Sequence, residues 1–267
     1  MRPEILVTND DGVRAPGLLA LAQEMDQLGR VTVLAPDKNW SGKGHVKTIN
    51  RPLRVHEVTL EDGRSAYTSD GAPSDCVALG LLGYFGVDFD LVVAGINPRP
   101  NFGHDVTYSG TVTAAMEAII NGVPGVAFSL GATDDHLETK DFHTAARFSH
   151  QIVQKTLESK LPPGILLNVN IPYLPQEQIQ GIRITSQGQR VYHSRLDQRL
   201  DPRGKPYFWI SGDPPSGVRK DGTDYGALAA GYVSITPLQL NLTAYPAQAA
   251  MKQWSWEKVP QAQMLFV

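Results

Sequence analysis

Ile5-Leu6-Val7-Thr8-Asn9-Asp10-Asp11-Gly12-Val13-Arg14-Ala15-Pro16-Gly17 is the stretch on which the reading of this chain turns. A short, mostly apolar run from Ile5 to Thr8 is cut off by Asx residues and a glycine, the pattern of a buried strand closed by a turn. Pro16 suits the first turn of a helix, where its missing N–H is no loss. Behind it Leu18, Leu19, Leu21, Ala22 and Met25 recur at helical spacing. The stretch therefore predicts a strand, a polar loop and a helix in immediate succession.

The same alternation continues outward. Val31 to Ala35 reads as a strand closed by Pro36, and residues 37–52 as a long polar loop with two glycines. Asp75 to Tyr84 looks helical, and Leu91 to Ala94 is a strand running into Gly95-Ile96-Asn97. Val112, Ala115, Met116, Ile119 and Ile120 form a helix face, followed by a strand at Val126 to Ser129. A helix over Phe142 to Leu157 and a strand over Ile165 to Val169 complete the series. Strand–helix alternation of this kind predicts an α/β fold, a three-layer α/β/α sandwich around a mainly parallel, Rossmann-like sheet. Sites in such sheets lie beyond the carboxyl ends of the strands, where loops 9–17, 36–50 and 95–111 fall together.

From about residue 182 the texture changes. Residues 186–222 hold seven Lys or Arg against four Asp, many Gly and Pro, and short alternating runs such as Tyr207 to Ile210. This predicts an antiparallel β-hairpin arm, either a solvated excursion or a contact between subunits. Gly231 to Pro237 is one more strand and Ala247 to Trp256 a last helix. The expected organisation is a single domain over 1–267, with a core at 1–181, a protruding arm at 182–230, and the final strand and C-terminal helix at 231–267.

Composition narrows the function. With 42% hydrophobic residues, 19% charged and a net charge of -3, the 267-residue chain can bury a core but carries no excess positive charge for a nucleic-acid duplex. Cys76 is the sole cysteine, so neither an intramolecular disulfide nor a cysteine zinc cluster can form. Met1-Arg2-Pro3-Glu4 leads into no signal-peptide-like stretch, and the longest nearly apolar segment, Cys76 to Val87, is short and holds three glycines. The expectation is a cytoplasmic protein with no membrane contact.

Asp10 and Asp11 are the candidate chemical pair. Two carboxylates about 5 Å apart repel by about 3 kcal/mol at an effective dielectric near 20. A closed loop that holds them together needs a counter-charge, or must keep one protonated. Two readings stand: a metal site, or Asx residues that make the turn and cap the helix. Pro16 places the helix start too late for capping, and Gly12 already supplies a turn. A cation here would be hard, because carboxylate, amide and hydroxyl oxygens suit magnesium, manganese or calcium. The seven histidines show no paired ligand spacing for zinc. Ser41, in Asn39-Trp40-Ser41-Gly42, could bring a hydroxyl to that cation, or serve as a turn residue. Asn97 could bring an amide oxygen. Ser109-Gly110-Thr111 opens a helix with small residues, either as ordinary capping or as an anion site, and Asn101 and Gly103 lie on the same approach. The chain lacks a Walker lysine loop, a dinucleotide glycine fingerprint and a serine-hydrolase elbow. Asn9 stands where a phosphoaspartate enzyme of the haloacid-dehalogenase kind would carry an aspartate.

The run Leu6 to Gly17 resembles the amino-terminal signature of the SurE family, the stationary-phase survival protein nucleotidases. The similarity continues through Ala35 to Gly42, Gly71 to Val77, Gly95-Ile96-Asn97, Asn101 to Thr111 and Gly231 to Leu238, in the family's order. This resemblance implies a divalent-metal phosphatase acting on nucleoside monophosphates or other small phosphate esters. In some members the activity extends to 3′-nucleotides or short polyphosphate. It implies one divalent ion per subunit on Asp10, Asp11, Ser41 and Asn97, with the substrate phosphate held by Asn101, Ser109, Gly110 and Thr111. Asp10, Asn101 and Ser109 would then take the catalytic roles. It also implies a homodimer or homotetramer built with exchanged carboxyl-terminal segments, which favours the subunit-contact reading of the arm. One position departs: the family usually has glycine two residues after the ligand asparagine, and here Arg99 stands between Pro98 and Pro100. A residue before proline is pushed to extended geometry, so the loop takes a different path. Arg99 is read as a solvated side chain, with a bidentate phosphate donor as the alternative. The rival to the hydrolase is a sensor that binds nucleotide or metal on the same fold, its catalysis impaired by the Arg99 loop. Covalent transfer through an aspartate is a further one.

Overall fold

Glu4–Thr8 forms strand β1, and its side chains alternate between two cores, as the period of two in a strand requires. Ile5 and Val7 pack with Leu18, Leu21 and Met25, whereas Leu6 packs with Cys76, Val77 and Ala114. Both faces of β1 are covered, which is why its sequence is continuously apolar instead of alternating with polar residues. These observations come from a computed structural model that describes residues 2–131 and 141–254.

Helix α1 (Pro16–Met25) begins on Pro16, and β2 (Arg30–Pro36) returns parallel to β1, Ile5 lying opposite Val31. Strands β3 (Val55–Thr59) and β4 (Ser65–Ser69) form an antiparallel pair that extends the sheet beyond β2. Helix α2 (Pro73–Leu79) runs on as a π-helical turn to Tyr84. Strand β5 (Leu91–Asn97) then pairs with the other side of β1, Thr8 lying opposite Ala94. Helix α3 (Gly110–Ile120), β6 (Gly125–Gly131), α4 (His143–Ser159) and β7 (Ile165–Pro172) follow. Beyond them come β8 (Ile182–Ile184), β9 (Arg190–Leu200), β10 (Pro206–Gly217), α5 (Asp224–Ala229), β11 (Val233–Gln239) and α6 (Tyr245–Met251).

Among the described residues the main sheet has the order β3-β4-β2-β1-β5-β6-β7-β11-β8, parallel from β4 to β7. Helices α1 and α4 pack together on one face and α2 and α3 on the other, which is the expected three-layer arrangement. The expected arm is also present: among the described residues β9 and β10 pair only with each other, as a separate antiparallel ribbon. Its flanks return to the body, β8 pairing with β11 and α5 packing on β7 and β11.

The sequence reading did not anticipate β3, β4, β8 or α5. The last helix starts at Tyr245, just ahead of the expected Ala247, and the far end of that expectation, Trp256, lies outside the described residues. Among the described residues no helix is long and apolar enough to cross a membrane.

This topology fixes where a ligand can sit. After β1 the chain moves to β2 on one side, while β5 occupies the other side of β1. In open α/β sheets a divergence of this kind marks where ligands bind, here at the carboxyl ends of β1 and β5. Asp10 and Asp11 follow β1 directly, and Asn97 ends β5.

Candidate active site

The loop after β1 is closed by Asn9, not by the acids. Asn9 is fully buried; its Nδ2 donates to Gly12 O at 2.9 Å, and its Oδ1 accepts from Gly12 N at 3.2 Å. Gly12 has φ +107, which only glycine adopts without strain. Ala15 occupies the N-cap of α1 without any side-chain cap. Neither turn nor cap needs Asp10 or Asp11, so the turn reading left open above has no function for them here.

Asp10 is 3% exposed and leans on the amino terminus of α3. The Thr111 hydroxyl donates to its Oδ1 at 2.5 Å, and the backbone N–H groups of Gly110 and Thr111 also bond to it. A Cβ on Gly110 would stand 2.6 Å from Asp10 Cβ, so only glycine lets the carboxylate come this close. Burial pushes the Asp10 carboxyl above its ordinary value, and the Thr111 hydroxyl and these amides pull it down without offsetting that. Those donors are all neutral. The anion expected at this helix end is therefore, in part, a carboxylate of the chain itself.

Loop 37–52 lies across the acids. Trp40 N donates to Asp10 O at 2.7 Å, and Asn39 Nδ2 lies 3.4 Å from Asp11 Oδ1. Asn39 Oδ1 accepts from Ser41 N at 2.7 Å, placing Ser41 directly after the two contacts. Two buried carboxylates that the sequence reading missed hold the loop down. Asp75 accepts from Thr48 N at 2.9 Å and from the Thr48 hydroxyl at 2.6 Å. Glu117, 2% exposed on α3, accepts from His45 Nε2 at 3.0 Å, Lys47 Nζ at 2.8 Å and Asn121 Nδ2 at 3.1 Å. The available signal was a lone acid within the apolar run Ala114 to Ile120.

On the opposite side, Asn97 Nδ2 donates to Arg99 O at 2.5 Å, so its carbonyl oxygen is the atom it can offer a cation. Arg99 is exposed. Asn101 is buried in an amide network: its N–H donates to Asn170 Oδ1 at 2.8 Å and its Nδ2 to Ser129 Oγ at 2.8 Å. Asn168 and Asn170 both donate to its carbonyl, at 2.7 and 2.9 Å. Ser129 stands opposite Asn97 in the sheet, which brings Asn101 to the same strand ends. Ser109 caps α3, its Oγ accepting from Val112 N at 3.1 Å.

The acids, Asn97, Asn101 and the α3 terminus thus converge at one end of the sheet. A cleft of about 500 Å³ opens beside Asp11, lined also by Arg14, Asp37, Val58 and Thr68. The donors fit a hard divalent cation. They are oxygens only, and one of the two adjacent carboxylates is buried among neutral partners. Among the described residues, no group of three or more His, Cys, Asp and Glu side chains is placed to hold a metal ion, so Asp10 and Asp11 would need the amide and hydroxyl oxygens to complete a shell.

Residues 5–194 match the family model described as Survival protein SurE. A protein named 5′-nucleotidase SurE from Herpetosiphon aurantiacus is 50% identical over 239 residues, covering 90% of this chain and 93% of that one. One of the same name from Chloroflexus aggregans is 47% identical over 253 residues, covering 95% and 99%. The crystal structure of the SurE protein from Aquifex aeolicus superposes with a TM-score of 0.79 at 41% identity, covering 94% of this chain and 98% of that chain.

Proposed function

Since the chain belongs to the SurE family, we propose that it is a divalent-metal-dependent phosphomonoesterase that hydrolyses nucleoside 5′-monophosphates. The relatives named 5′-nucleotidase SurE support the substrate class. Activity on 3′-nucleotides or short polyphosphate is a finer extension of the same reading. The observation that carries the proposal is the buried Asp10 carboxylate beside Asp11 at the β1–β5 crevice, with neutral donors alone around it.

Asp10, Asp11, Ser41 and Asn97 would hold the ion. When bound, magnesium, manganese or calcium supplies Lewis acidity toward a phosphoryl oxygen and toward water. The chain's own groups do the rest. Thr111 and the α3 amides fix Asp10, which orients the attacking water. Asn101 and Ser109 are assigned to the equatorial phosphoryl oxygens, where charge accumulates as the bond to the leaving alcohol breaks, while Gly110 and Thr111, whose amides and hydroxyl bond Asp10, act through that carboxylate. The water oxygen ends on phosphorus, and a proton ends on the alcohol. The exposed apolar side chains of the arm, Leu196, Trp209 and Ile210, support self-association as a dimer or tetramer. We assign the protein to the cytoplasm.

The test replaces Asp10 by Asn and measures phosphate release from nucleoside monophosphates with manganese or magnesium. The expected loss is about 100-fold in a variant that retains its fold. Full activity in the folded variant discards the metal assignment. The sensor reading rests on Arg99, which departs from the glycine that the family resemblance implies at that position. A wild-type protein that binds manganese and nucleotide but releases no phosphate would establish it.

A further inference from the structure

The segment from Asn101 to Ser109 is held from two sides. The sheet side is the amide network around Asn101. The other side is the base of the hairpin. Arg190, the first residue of β9, sets its guanidinium 4.3 Å over the Phe102 ring. Its Nε lies 2.8 Å from Asp105 Oδ2, an ion pair without the alignment of a hydrogen bond. Tyr192 falls two residues further along the strand, on the same face, and donates its phenol hydroxyl to Asp105 Oδ1. Burial and the Asp105 carboxylate push that phenol up to about 12, so it remains a donor over any working pH.

The neighbouring contacts are backbone-deep. Asp224, fully buried, accepts from Gly103 N at 2.8 Å and Gly188 N at 2.7 Å. Gln187 Nε2 donates to Gly103 O at 3.0 Å. Gly103 has φ +54, and a Cβ there would stand 2.8 Å from Gly188 O, so the two chain segments meet main chain to main chain. Phe102 also stacks against Tyr225, ring centroids 4.7 Å apart.

What Asp105 does next gives these contacts a consequence. Its carbonyl accepts from Tyr108 N at 2.9 Å and Ser109 N at 3.0 Å, closing the short turn that delivers Ser109 as the cap of α3. Asp10 leans on that same helix end through Thr111. A shift of Asp105 is therefore passed to Ser109 and from there to the seat of Asp10.

We propose that Arg190 and Tyr192 are positioning residues: they clamp Asp105 and so hold the Asn101–Thr111 segment in its working geometry. Anything that displaces the base of the hairpin then loosens the site, and a ligand gripped by the segment tightens the hairpin base in return. The kinetic consequence rests on the phosphatase reading, but the clamp itself does not.

The experiment uses the full chain as wild type, Arg190→Gln, Arg190→Lys and Tyr192→Phe, read by amide hydrogen exchange and by kinetics. Residues 102–109 are expected to exchange about tenfold faster in Arg190→Gln, with Arg190→Lys partly restored and α1 unchanged. On a nucleoside monophosphate kcat/KM is expected to fall about tenfold, and an Asp105→Asn/Arg190→Gln cycle to be non-additive, the double variant no worse than the worse single one. Wild-type exchange and kcat/KM in the variants, or additive losses, overturn the proposal. If Arg190→Gln fails to fold, Tyr192→Phe decides, since it removes one hydroxyl from a half-exposed ring: unchanged exchange at 102–109 rejects the clamp. A wild type inert toward every phosphate ester sinks the phosphatase reading, and exchange still decides the clamp.

Discussion

Helix α3 carries a buried carboxylate against each end, and the two behave in opposite ways. At its amino terminus Asp10 is 3% exposed, and its carboxyl is pushed up. Toward its carboxyl end Glu117 is 2% exposed, and its carboxyl is lowered to about 2. Burial works against the charge in both places. At Glu117 it is outweighed by hydrogen bonds from His45, Lys47 and Asn121 and by the charge of Lys47. At Asp10 the donors are a hydroxyl and backbone amides. A carboxylate that ties a loop in place brings its cations from the chain. One that is buried beside a second acid, with neutral donors alone, either holds a proton or takes a cation from solution, and the proposed function rests on the second.

That contrast can be pressed from either end. The largest expected effect is at the helix terminus: Gly110→Ala places a methyl 2.6 Å from Asp10 Cβ, an atom next to the backbone and not the far end of a flexible side chain. Displacing the carboxylate by about 1 Å should cost about 100-fold in phosphate release. Thermal unfolding should show a loss of about 1–3 kcal/mol from overpacking. If the variant keeps wild-type turnover, the seat of Asp10 on α3 is irrelevant to function.

Glu117→Gln should do the reverse. Stability falls by about 1–3 kcal/mol in denaturant titration, because His45 and Lys47 lose an ionised acceptor, while turnover at saturating metal stays within about threefold. The pH dependence follows from the sign of the shift. The folded pKa, about 2, lies below the ordinary 4.5. The contribution is therefore full above about 4.5 and is lost as pH falls from there toward 2. Denaturation measured across that window should show a steeper loss in wild type than in Glu117→Gln. Parallel curves would mean that Glu117 is not the anchor described.

Much of the frame was legible in the sequence, because both-faces burial of parallel strands leaves continuous apolar runs such as Ile5 to Val7 and Leu91 to Ala94. The acid pair was legible for the same reason: it interrupts such a run at a strand end. The β3–β4 edge was not, since an edge pair carrying exposed His56 and Glu57 has little apolar signal. Nor was the antiparallel insertion of β11 between β7 and β8, which depends on pairing far apart in sequence. The support beneath the site was hidden differently. Asn168 and Asn170 look out of place in an apolar strand, and Glu117 in an apolar helix face. Each makes sense only once its partners, Asn101 and the His45–Lys47 pair, are brought beside it by the fold. Arg99 was legible as a departure. The structure leaves it exposed while Asn101 stays anchored by the asparagines of β7.

The most direct test of the central claim is anomalous diffraction from crystals soaked in manganese. The account predicts a peak within coordination distance of both the Asp10 and Asp11 carboxylates, and its loss in Asp10→Asn. An empty crevice in the wild type at saturating manganese, with Asp10 still bonded to the Thr111 hydroxyl and the α3 amides and Asp11 still beside Asn39, would contradict it.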